Sequence, residues 1–438
     1  MMRVADAAGC SRECNMSFVR ADRSKRCRGH AARHPLPASQ RLVAIRELPD
    51  GQMSSSCSSA TVGGGTLFDS HSSGKAPARA SALGTFISSE QVAVHRGLAE
   101  FRGGRPVLFL AREPFVAMPI DGCDQRLLQA FRQTFNTAPL QLAITARRAA
   151  ALGIKTKGPL TLHLKEEAEV SEILSLAASS SVTRPLDASP ARPTILAGID
   201  LAKLAGRLPA VLIADADSAI SCALVQLEAT AVSVFREQLI RSLSIAASSV
   251  IPLEDMDAAR FVMFRNAIGS GHAAIVIGEP NLSNPVLVRI HSACLTGDVF
   301  GSRRCDCGDQ LKLAISRMRS TGGILLYLDQ EGRGLGLLNK IRAYSLQDSG
   351  LDTIDANMTL GFEDDERDYL VAARMLQLLG CKRVMLLTNN PAKLADLSKA
   401  GIEICGRVPL QVSITTKNRR YLAAMARRAG HRLDHVWE

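Results

Sequence analysis

The sequence predicts a mixed α/β protein with two folded domains that follow a disordered leader. The chain has 438 residues, more than one hydrophobic core ordinarily holds. Short apolar runs typical of buried strands alternate with amphipathic helical stretches along both halves. Hydrophobic residues make up 46% and charged residues 22%, as in soluble globular proteins. No apolar run reaches the roughly 18 residues of a spanning helix, so we expect no membrane partner.

Residues 1–90 form the predicted leader. They are rich in Ser, Gly, Ala and Arg, include the serine run at 54–59 and show no sustained periodicity. Twelve Lys and Arg stand against seven Asp and Glu there. A targeting peptide is the alternative interpretation, but its acidic residues argue against an import helix.

The net charge of +11 indicates an anionic partner. Outside the leader the chain is only mildly basic, which favours a nucleotide over nucleic acid, and the 4% of aromatic residues disfavours single-strand stacking. Eleven cysteines in so long a chain do not resemble a secreted disulfide scaffold, and no apolar signal peptide precedes them. We therefore expect a reducing, cytoplasmic compartment.

The first domain is expected at residues 91–235, because helical and strand patterns alternate there. Its predicted elements are helix Glu90–Phe101, strand Pro106–Ala111, helix Arg126–Phe135, strand Leu140–Thr145, helix Ala146–Leu152, a loop at Ser179–Pro193, helix Ile199–Leu204 and strand Ala210–Ala214.

The second domain is expected at residues 236–438 as a layered α/β arrangement, with loops at strand ends available for ligands. Its predicted elements are strands Phe261–Phe264, Ala273–Gly278 and Val286–Ile290, helix Gln310–Met318, strand Gly323–Leu328, helices Leu337–Asp348 and Glu366–Leu379, strand Arg383–Thr388 and helix Pro391–Ala400.

Three cysteines in one short window, Cys294, Cys305 and Cys307, predict a zinc site. Thiolates are good zinc ligands, and three protein ligands leave a fourth position for water, as in catalytic sites. The alternative is three buried cysteines that act as small apolar residues, which fits poorly with the Gly, Asp and Arg around them. His291 is open to three interpretations: a fourth ligand, a nucleotide contact or a structural histidine.

A glycine-rich turn, Asp-Gln-Glu-Gly-Arg-Gly-Leu-Gly at 329–336, follows a predicted strand. Its glycines would let main-chain amides approach a phosphate, although the turn lacks the ending of a Walker motif. Glu331 could pair with a guanine edge or be a solvated loop charge. Arg333 and Lys393 could hold triphosphate charge or be ordinary exposed cations.

Residues 362–369 crowd Asp364, Asp365, Glu366 and Asp368 around Arg367. A carboxylate beside an arginine and a metal or phosphate could serve as a general base or a magnesium ligand. The alternative is a helix N-terminus enriched in acidic residues that match its dipole.

The second half closely resembles GTP cyclohydrolase II of riboflavin biosynthesis from about Val288 to the C-terminus. The resemblance is carried by the blocks Arg-Ile-His-Ser at 289, Cys-Leu-Thr-Gly-Asp at 294, Arg-Cys-Asp-Cys-Gly at 304, Gln-Glu-Gly-Arg at 330, Leu-Leu-Asn-Lys-Ile-Arg-Ala-Tyr at 337, Asp-Glu-Arg-Asp at 365 and Leu-Leu-Thr-Asn-Asn-Pro at 386. It implies hydrolysis of GTP to a diaminopyrimidinone ribosyl phosphate, formate and pyrophosphate, with Zn²⁺ and Mg²⁺ as cofactors and a homodimer as the assembly.

The same resemblance implies the role of each matching residue. Zinc would be bound by Cys294, Cys305 and Cys307, and would present water to C8 of the base. Tyr344 would assist ring opening, Asp365 would accept a proton, and Arg367 would attack the α-phosphorus or, more plainly, stabilise phosphate charge. The GTP contacts would be Arg289, Ile290, His291, Ser292, Gln310, Glu331, Gly332, Arg333, Thr353, Thr388 and Lys393. Ala293 replaces the Glu of many relatives, and altered affinity for GTP is expected there.

The first folded domain resembles a degenerate 3,4-dihydroxy-2-butanone 4-phosphate synthase. The segments at 95–108, 142–153 and 199–213 are similar to that family, but Ala-Arg-Glu-Pro-Phe-Val-Ala-Met at 111–118 stands where the family has its catalytic acids. Without those carboxylates a magnesium ion has no oxygen ligands. We therefore expect no synthase activity, and a role in packing or in supporting a dimer.

Two rival functions remain open at this point. A catalytically impaired homologue that binds GTP and regulates another protein would release no formate. Nucleic-acid binding through the leader would weaken steeply with salt and vanish without residues 1–90.

Overall fold

Two seven-stranded sheets organise the chain, one in each half. The computed structural model describes residues 88–135, 139–180, 182, 185–216, 223–254, 256–269 and 271–433, all within the unit Lys75–Glu438. Strands and helices alternate in both halves, so the predicted mixed α/β class is confirmed. The predicted disordered leader lies outside the described residues except for positions 88–90.

The N-terminal half contains one mainly antiparallel sheet with helices on both faces. Its strands run in the order β5-β4-β3-β6-β2-β1-β7, with only β1 and β7 parallel. Its elements are α1 (Ser89–Arg102), β1 (Val107–Leu110), β2 (Phe115–Pro119), α2 (Gln125–Phe135), β3 (Gln141–Ile144), α3 (Ala146–Ala151), β4 (Leu160–His163), α4 (Val170–Ala178), β5 (Ala188–Pro190), a 3₁₀ turn (Pro193–Ile195), α5 (Leu196–Leu204), β6 (Ala210–Asp215), β7 (Gln226–Glu228) and α6 (Ala229–Arg241).

The C-terminal half contains the second sheet, in the order β14-β13-β11-β12-β10-β9-β8. Its elements are β8 (Ser244–Leu253), β9 (Met256–Arg265), β10 (Gly271–Ile277), β11 (Val286–Ser292), α7 (Leu295–Asp298), α8 (Cys307–Thr321), β12 (Gly323–Leu328), a 3₁₀ turn (Glu331–Gly334), α9 (Leu337–Asp348), α10 (Thr353–Thr359), α11 (Leu370–Leu378), β13 (Arg383–Leu387), α12 (Pro391–Lys399), β14 (Glu403–Val408) and α13 (Arg419–Arg428).

Parallel pairing of four strands sets the position of the site. β14, β13, β11 and β12 are parallel, whereas β12, β10, β9 and β8 pair antiparallel. The carboxyl ends of the parallel strands therefore share one edge of the sheet, where ligands bind in open α/β sheets. The loops at this edge begin after Ser292, Leu328 and Leu387.

Two predicted elements are wrong. The helix predicted at Glu366–Leu379 begins only at Leu370, so Asp365 and Arg367 lie in a loop rather than at an acid-rich helix N-terminus. The loop predicted at Ser179–Pro193 contains the short strand β5, which pairs with β4 despite ending in a proline. Pro190 is tolerated because β5 is an edge strand, where no further neighbour needs its missing N–H.

The two halves share a hydrophobic core. Leu335, Ala343, Ala356, Leu360 and Phe362 of the C-terminal half belong to the same buried cluster as the apolar residues of β3, β4 and α4. The predicted domain limit at residues 235 and 236 falls within α6 and stays a prediction.

Among the described residues, no helix combines the length and the apolar character needed to cross a membrane.

Candidate active site

The three cysteines converge at the carboxyl edge of the second sheet. Cys294 follows β11, Cys305 precedes α8, and Cys307 is the first residue of α8. Their Sγ atoms all lie within 4.8 Å of one another, and those of Cys294 and Cys305 are 3.6 Å apart. This is the one group among the described residues in which three His, Cys, Asp or Glu side chains could hold a metal ion.

Gly297 lets the cysteines approach each other. A Cβ at this position would lie 2.9 Å from the Sγ of Cys294 and 3.1 Å from that of Cys305. Any side chain would therefore push into the sulfur cluster. The space beside the sulfurs depends on this glycine in the Cys-Leu-Thr-Gly-Asp block.

The three thiols of the cluster differ in acidity, since the pKa of Cys294 is lowered and those of Cys305 and Cys307 are raised. Hydrogen bonds from the Cys305 and Cys307 thiols, together with the Lys340 ammonium, lower the pKa of Cys294. Lys340 Nζ lies 3.1 Å from Cys294 Sγ and 2.7 Å from Glu331 Oε1. Burial alone would lower the pKa of Lys340, but the Glu331 carboxylate and the Cys294 sulfur raise it overall. A fixed cation thus favours the thiolate that zinc requires.

Asp298 organises the loop around Cys294. Its Oδ2 atom accepts hydrogen bonds from the Cys294 amide at 3.0 Å and the Tyr327 hydroxyl at 2.9 Å, and lies 3.0 Å from His291 Nε2. His291 therefore contacts a carboxylate rather than the sulfur cluster. Burial lowers the pKa of His291 despite the opposing effect of Asp298.

A cavity of about 630 Å³ lies beside the cysteines and carries positive charge. Arg289, Arg333, Arg367 and Lys393 all line it. Lys393 Nζ donates to the Ile290 carbonyl at 2.9 Å, and burial with the nearby arginines lowers the pKa of this lysine. Such a concentration of cations is suited to a polyanionic ligand.

Several buried polar atoms on the residues that line this cavity have no hydrogen-bond partner among the described residues. They are Nε of Arg289, Nδ1 of His291, Oγ of Ser292 and Nε2 of His431. Buried polar groups are ordinarily hydrogen-bonded, so these atoms indicate a ligand or ordered water.

The loop at 362–369 presents a paired Asp365 and Arg367. Asp365 Oδ1 accepts from Arg367 Nε at 2.8 Å, and Oδ2 accepts from Arg367 Nη2 at 2.6 Å. Burial alone would raise the pKa of Asp365, but this fork of hydrogen bonds lowers it overall. The carboxylate in turn raises the pKa of Arg367 although burial opposes this. The guanidinium is therefore firmly protonated.

A second cavity, of about 680 Å³, adjoins the first and reaches the sulfurs. Tyr344 and Thr353 line it together with the three cysteines. Burial raises the pKa of Tyr344, and Arg304 lies 4.9 Å from the centroid of its ring. Both carboxylate oxygens of Glu331 are already bonded, to Lys340 and to the Leu295 amide at 2.7 Å.

The two cavities form one bipartite site. The residues that line both are Ser292, Cys307, Arg333, Arg367 and Tyr421. Most of the predicted site residues line one or both cavities: Cys294, Cys305, Cys307, Arg289, His291, Ser292, Gln310, Glu331, Gly332, Arg333, Tyr344, Thr353, Arg367, Thr388 and Lys393, and so does Ala293. Ile290 lines neither and contributes its carbonyl to Lys393, while Asp365 lies behind Arg367.

Sequence reasoning missed several residues that line the site. The sequence did contain a signal for Lys340. It lies one helical turn before Tyr344 in the Leu-Leu-Asn-Lys-Ile-Arg-Ala-Tyr block, and therefore on the same face of α9. Asp306 also had a signal, because it lies between two ligand cysteines. No sequence signal pointed to Tyr421, which lies in α13, or to His431, which follows that helix. The sequence around them carries no recognisable motif.

The fold and the site together define an α/β protein with a three-cysteine cluster that could hold a metal ion beside a cation-lined cavity. Its residues 244–409 match the family model for GTP cyclohydrolase II. A GTP cyclohydrolase-2 from Xylella fastidiosa is 37% identical over 373 residues, covering 80% of this chain and 89% of the relative. The chain belongs to the GTP cyclohydrolase II family, as its motifs predicted.

Other relatives extend the comparison. A GTP cyclohydrolase-2 from Azospirillum brasilense is 39% identical over 360 residues, covering 77% of this chain and 93% of the relative. Both matches exceed the C-terminal half, so these relatives share the N-terminal half too. The riboflavin biosynthesis protein RibBA of Thermotoga maritima is 49% identical over 207 residues, covering 47% of this chain and 53% of the relative.

Among the solved structures to which the chain is similar is a two-domain 3,4-dihydroxy-2-butanone 4-phosphate synthase from A. baumannii. It is 17% identical, covers 73% of this chain and 99% of that chain, and has a TM-score of 0.28. A score this low carries no argument about function.

Proposed function

We propose that this protein is a zinc-dependent GTP cyclohydrolase II. It would convert GTP to 2,5-diamino-6-(5-phosphoribosylamino)pyrimidin-4(3H)-one, formate and pyrophosphate, the first committed step of riboflavin biosynthesis. The observation that carries the proposal is the bipartite site, in which three sulfurs and a set of cations line two adjoining cavities that share five residues. A purine at the sulfurs would place its phosphates among the cations.

Zinc fits the donor set of the cluster. Three soft sulfur ligands match zinc better than magnesium or calcium, and a three-ligand site leaves a coordination position open. Cys294, Cys305 and Cys307 would hold the ion, and Gly297 leaves space beside them. When bound, zinc would supply Lewis-acid chemistry and acidify a coordinated water.

The phosphate side of the site would bind the triphosphate with its magnesium ion as part of the substrate. Arg289 and Arg333 offer positive charge there beside Arg367, and Lys393, whose pKa is lowered in the empty site, would be favoured in its protonated form by a bound triphosphate. Such preorganised cations stabilise the negative charge that develops during phosphoryl cleavage. Since Asp365 raises the pKa of Arg367, we assign the guanidinium the role of charge stabiliser rather than nucleophile.

The base side of the site would orient the purine and move protons. Tyr344 lies in the cavity with the sulfurs, and burial keeps its hydroxyl protonated. It can therefore donate a hydrogen bond to the opening ring. Asp365 lines neither cavity and is held ionised by Arg367, so it would orient that guanidinium, and the role of proton acceptor is assigned to it from the resemblance alone. Lys340 and Glu331 brace the cysteine loop, which keeps its geometry while the ring opens.

Assay of the purified protein tests the proposal. With GTP, magnesium and zinc under reducing conditions, we expect one formate and one pyrophosphate for each GTP consumed. Cys305→Ser should lose bound zinc and formate release together. Cys405→Ser is the matched control, because Cys405 is an exposed thiol outside the cluster, and it should keep both.

The alternative function makes a different prediction in the same assay. A catalytically impaired, regulatory homologue would bind GTP and release neither product. Zinc-replete wild type that binds GTP without turnover would overturn our proposal in favour of that alternative.

The homodimer and the lack of synthase activity in the N-terminal half also stay proposals. Sedimentation of the full chain tests the first. Incubation with ribulose 5-phosphate and magnesium, followed by assay for formate, tests the second.

A further inference from the structure

A lysine of the N-terminal half reaches the loop that carries Asp365 and Arg367. Lys203, in the last turn of α5, places its Nζ 2.6 Å from Oε1 of Glu366. Both side chains are largely buried, at 13% and 12% exposure. An ion pair so shielded from solvent is screened much less than a surface pair.

Glu366 lies on the back of this loop. Arg367 lines both cavities and Glu366 lines neither. Its carboxylate meets Lys203, so the Glu366 side chain faces α5 rather than the ligand space. Residues 362–369 contain no helix or strand that would fix them by regular pairing.

Glu366 also connects the loop to the glycine-rich turn. Its amide donates to the Arg333 carbonyl at 3.0 Å, and its Oε1 accepts from the Glu363 amide at 3.0 Å. A Cβ on Gly334 would lie 2.8 Å from the Glu366 carbonyl carbon, so the two segments pack backbone to backbone. A displacement of Glu366 would therefore shift Arg333 and Arg367 together.

We propose that Lys203 is a positioning residue for the cyclohydrolase site. Through Glu366 it fixes the loop on which Asp365 and Arg367 stand, so the N-terminal half sets the geometry of the reaction in the other half. The inference rests on the proposed function and assigns the N-terminal half a direct part in it. Lys203 touches no reacting atom itself.

Three variants test this role in the full-length, zinc-loaded protein. Lys203→Met keeps the length of the side chain but leaves Glu366 unpaired, and it should lower kcat about 10- to 100-fold, as misplacement of catalytic groups does. Its zinc content should not change. Lys203→Arg should restore most of the activity. Glu366→Gln should lower kcat by a similar factor. It replaces Lys203→Met as the test if Lys203→Met does not fold.

Arg147→Gln is the matched control. Arg147 forms an ion pair across the same interface with Glu363 at 2.6 Å, but both side chains are exposed. Exposed pairs contribute little, so this variant should keep kcat within about twofold.

Hydrogen exchange supplies a readout that does not depend on activity. Amides at 362–369 should exchange faster in Lys203→Met than in wild type or Arg147→Gln, while β11 and β12 keep their protection. Unchanged kcat and exchange in Lys203→Met would overturn the inference. If wild type releases no formate, the proposed function fails, and the exchange comparison still decides whether Lys203 holds the loop.

Discussion

At the scale of single residues, the convergence of Cys294, Cys305 and Cys307 was the most predictable part of the site. Three cysteines within 14 positions are a clear sequence signal, because few structural features other than a metal site require cysteines at such close spacing. The supporting groups were harder to foresee. Asp298 and Lys340 are ordinary charged residues in the sequence, and only folding brings them to Cys294.

Asp298 is expected to control zinc affinity without binding the ion. Asp298→Asn weakens the acceptor that holds the Cys294 amide and the Tyr327 hydroxyl. Groups that orient metal ligands typically contribute 10- to 100-fold in affinity, so we expect a loss of about that size. Competition with a chromogenic zinc chelator measures it. Asp309→Asn, at an exposed position of α8, is the control, and equal affinity in both variants would contradict the assignment.

His431 is expected to make stability depend on pH. Burial, with Arg333, Lys393 and Arg367 nearby, lowers its pKa to about 3. Between pH 6.5 and about 3 the unfolded chain therefore binds a proton that the folded chain does not, so this contribution to stability falls as the pH falls. Without nucleotide, the melting temperature of His431→Gln should drop less than that of wild type between pH 7 and pH 5. Equal decreases in the melting temperatures of wild type and His431→Gln would contradict this prediction.

At the scale of helices and strands, the buried strands with short and clearly bounded apolar runs were predicted well, but the buried strands β2 and β4 were not predicted. Strand β12 has the predicted limits, Gly323–Leu328. The loop at 362–369 was mistaken for a helix N-terminus because acidic residues before an apolar periodic stretch are the usual signal for one. Here those charges instead pair with Arg367 and Lys203, and tertiary contacts override the local preference.

The glycine-rich turn allows a matched test at this scale. Gly334 and Gly336 both have positive φ, 90° and 84°, but only at Gly334 would a Cβ meet Glu366. Gly336, with φ 84° and ψ 161°, has a conformation that is essentially confined to glycine, so Gly336→Ala should cost about 1–3 kcal/mol of unfolding free energy from backbone strain alone. Gly334→Ala should cost more and should also lower kcat. Urea denaturation and formate release measure the two effects, and equal behaviour of the variants would show that the close packing is unimportant.

At the scale of the whole molecule, the sequence predicted two α/β halves but not how they join. The joining contacts connect residues more than 150 positions apart, which local periodicity cannot report. Asp121 accepts two hydrogen bonds from Arg342, at 3.0 and 2.6 Å, and Thr145 donates to the Gly361 carbonyl at 2.7 Å. These contacts flank α9 and α10, which line the second cavity.

Arg148 is expected to be a main anchor of this interface. The buried guanidinium donates to the carbonyls of Ser175, Leu176, Ser179 and Thr359, the last from the other half. Arg148→Met would remove all four of these hydrogen bonds, and we expect a loss of roughly 3 kcal/mol or more in unfolding free energy. Chemical denaturation measures it.

Two further variants sharpen that measurement. Arg148→Lys keeps the charge but not the fork of donors, and should lose nearly as much stability. Arg147→Gln, next to it and exposed, should change stability by less than about 1 kcal/mol. A stability of Arg148→Met close to that of wild type would contradict the anchoring role.

The hydrophobic cluster that runs through both halves has a practical consequence for anyone who wishes to shorten this protein. Phe362 and Leu360 would face water if the chain were cut before β8, although all three cysteines of the proposed zinc site would remain on the retained fragment. A minimal version would need polar substitutions on that uncovered face and a replacement for the support behind Glu366. Redesign of this surface, more than of the cysteine cluster, would decide whether a truncated form remains usable.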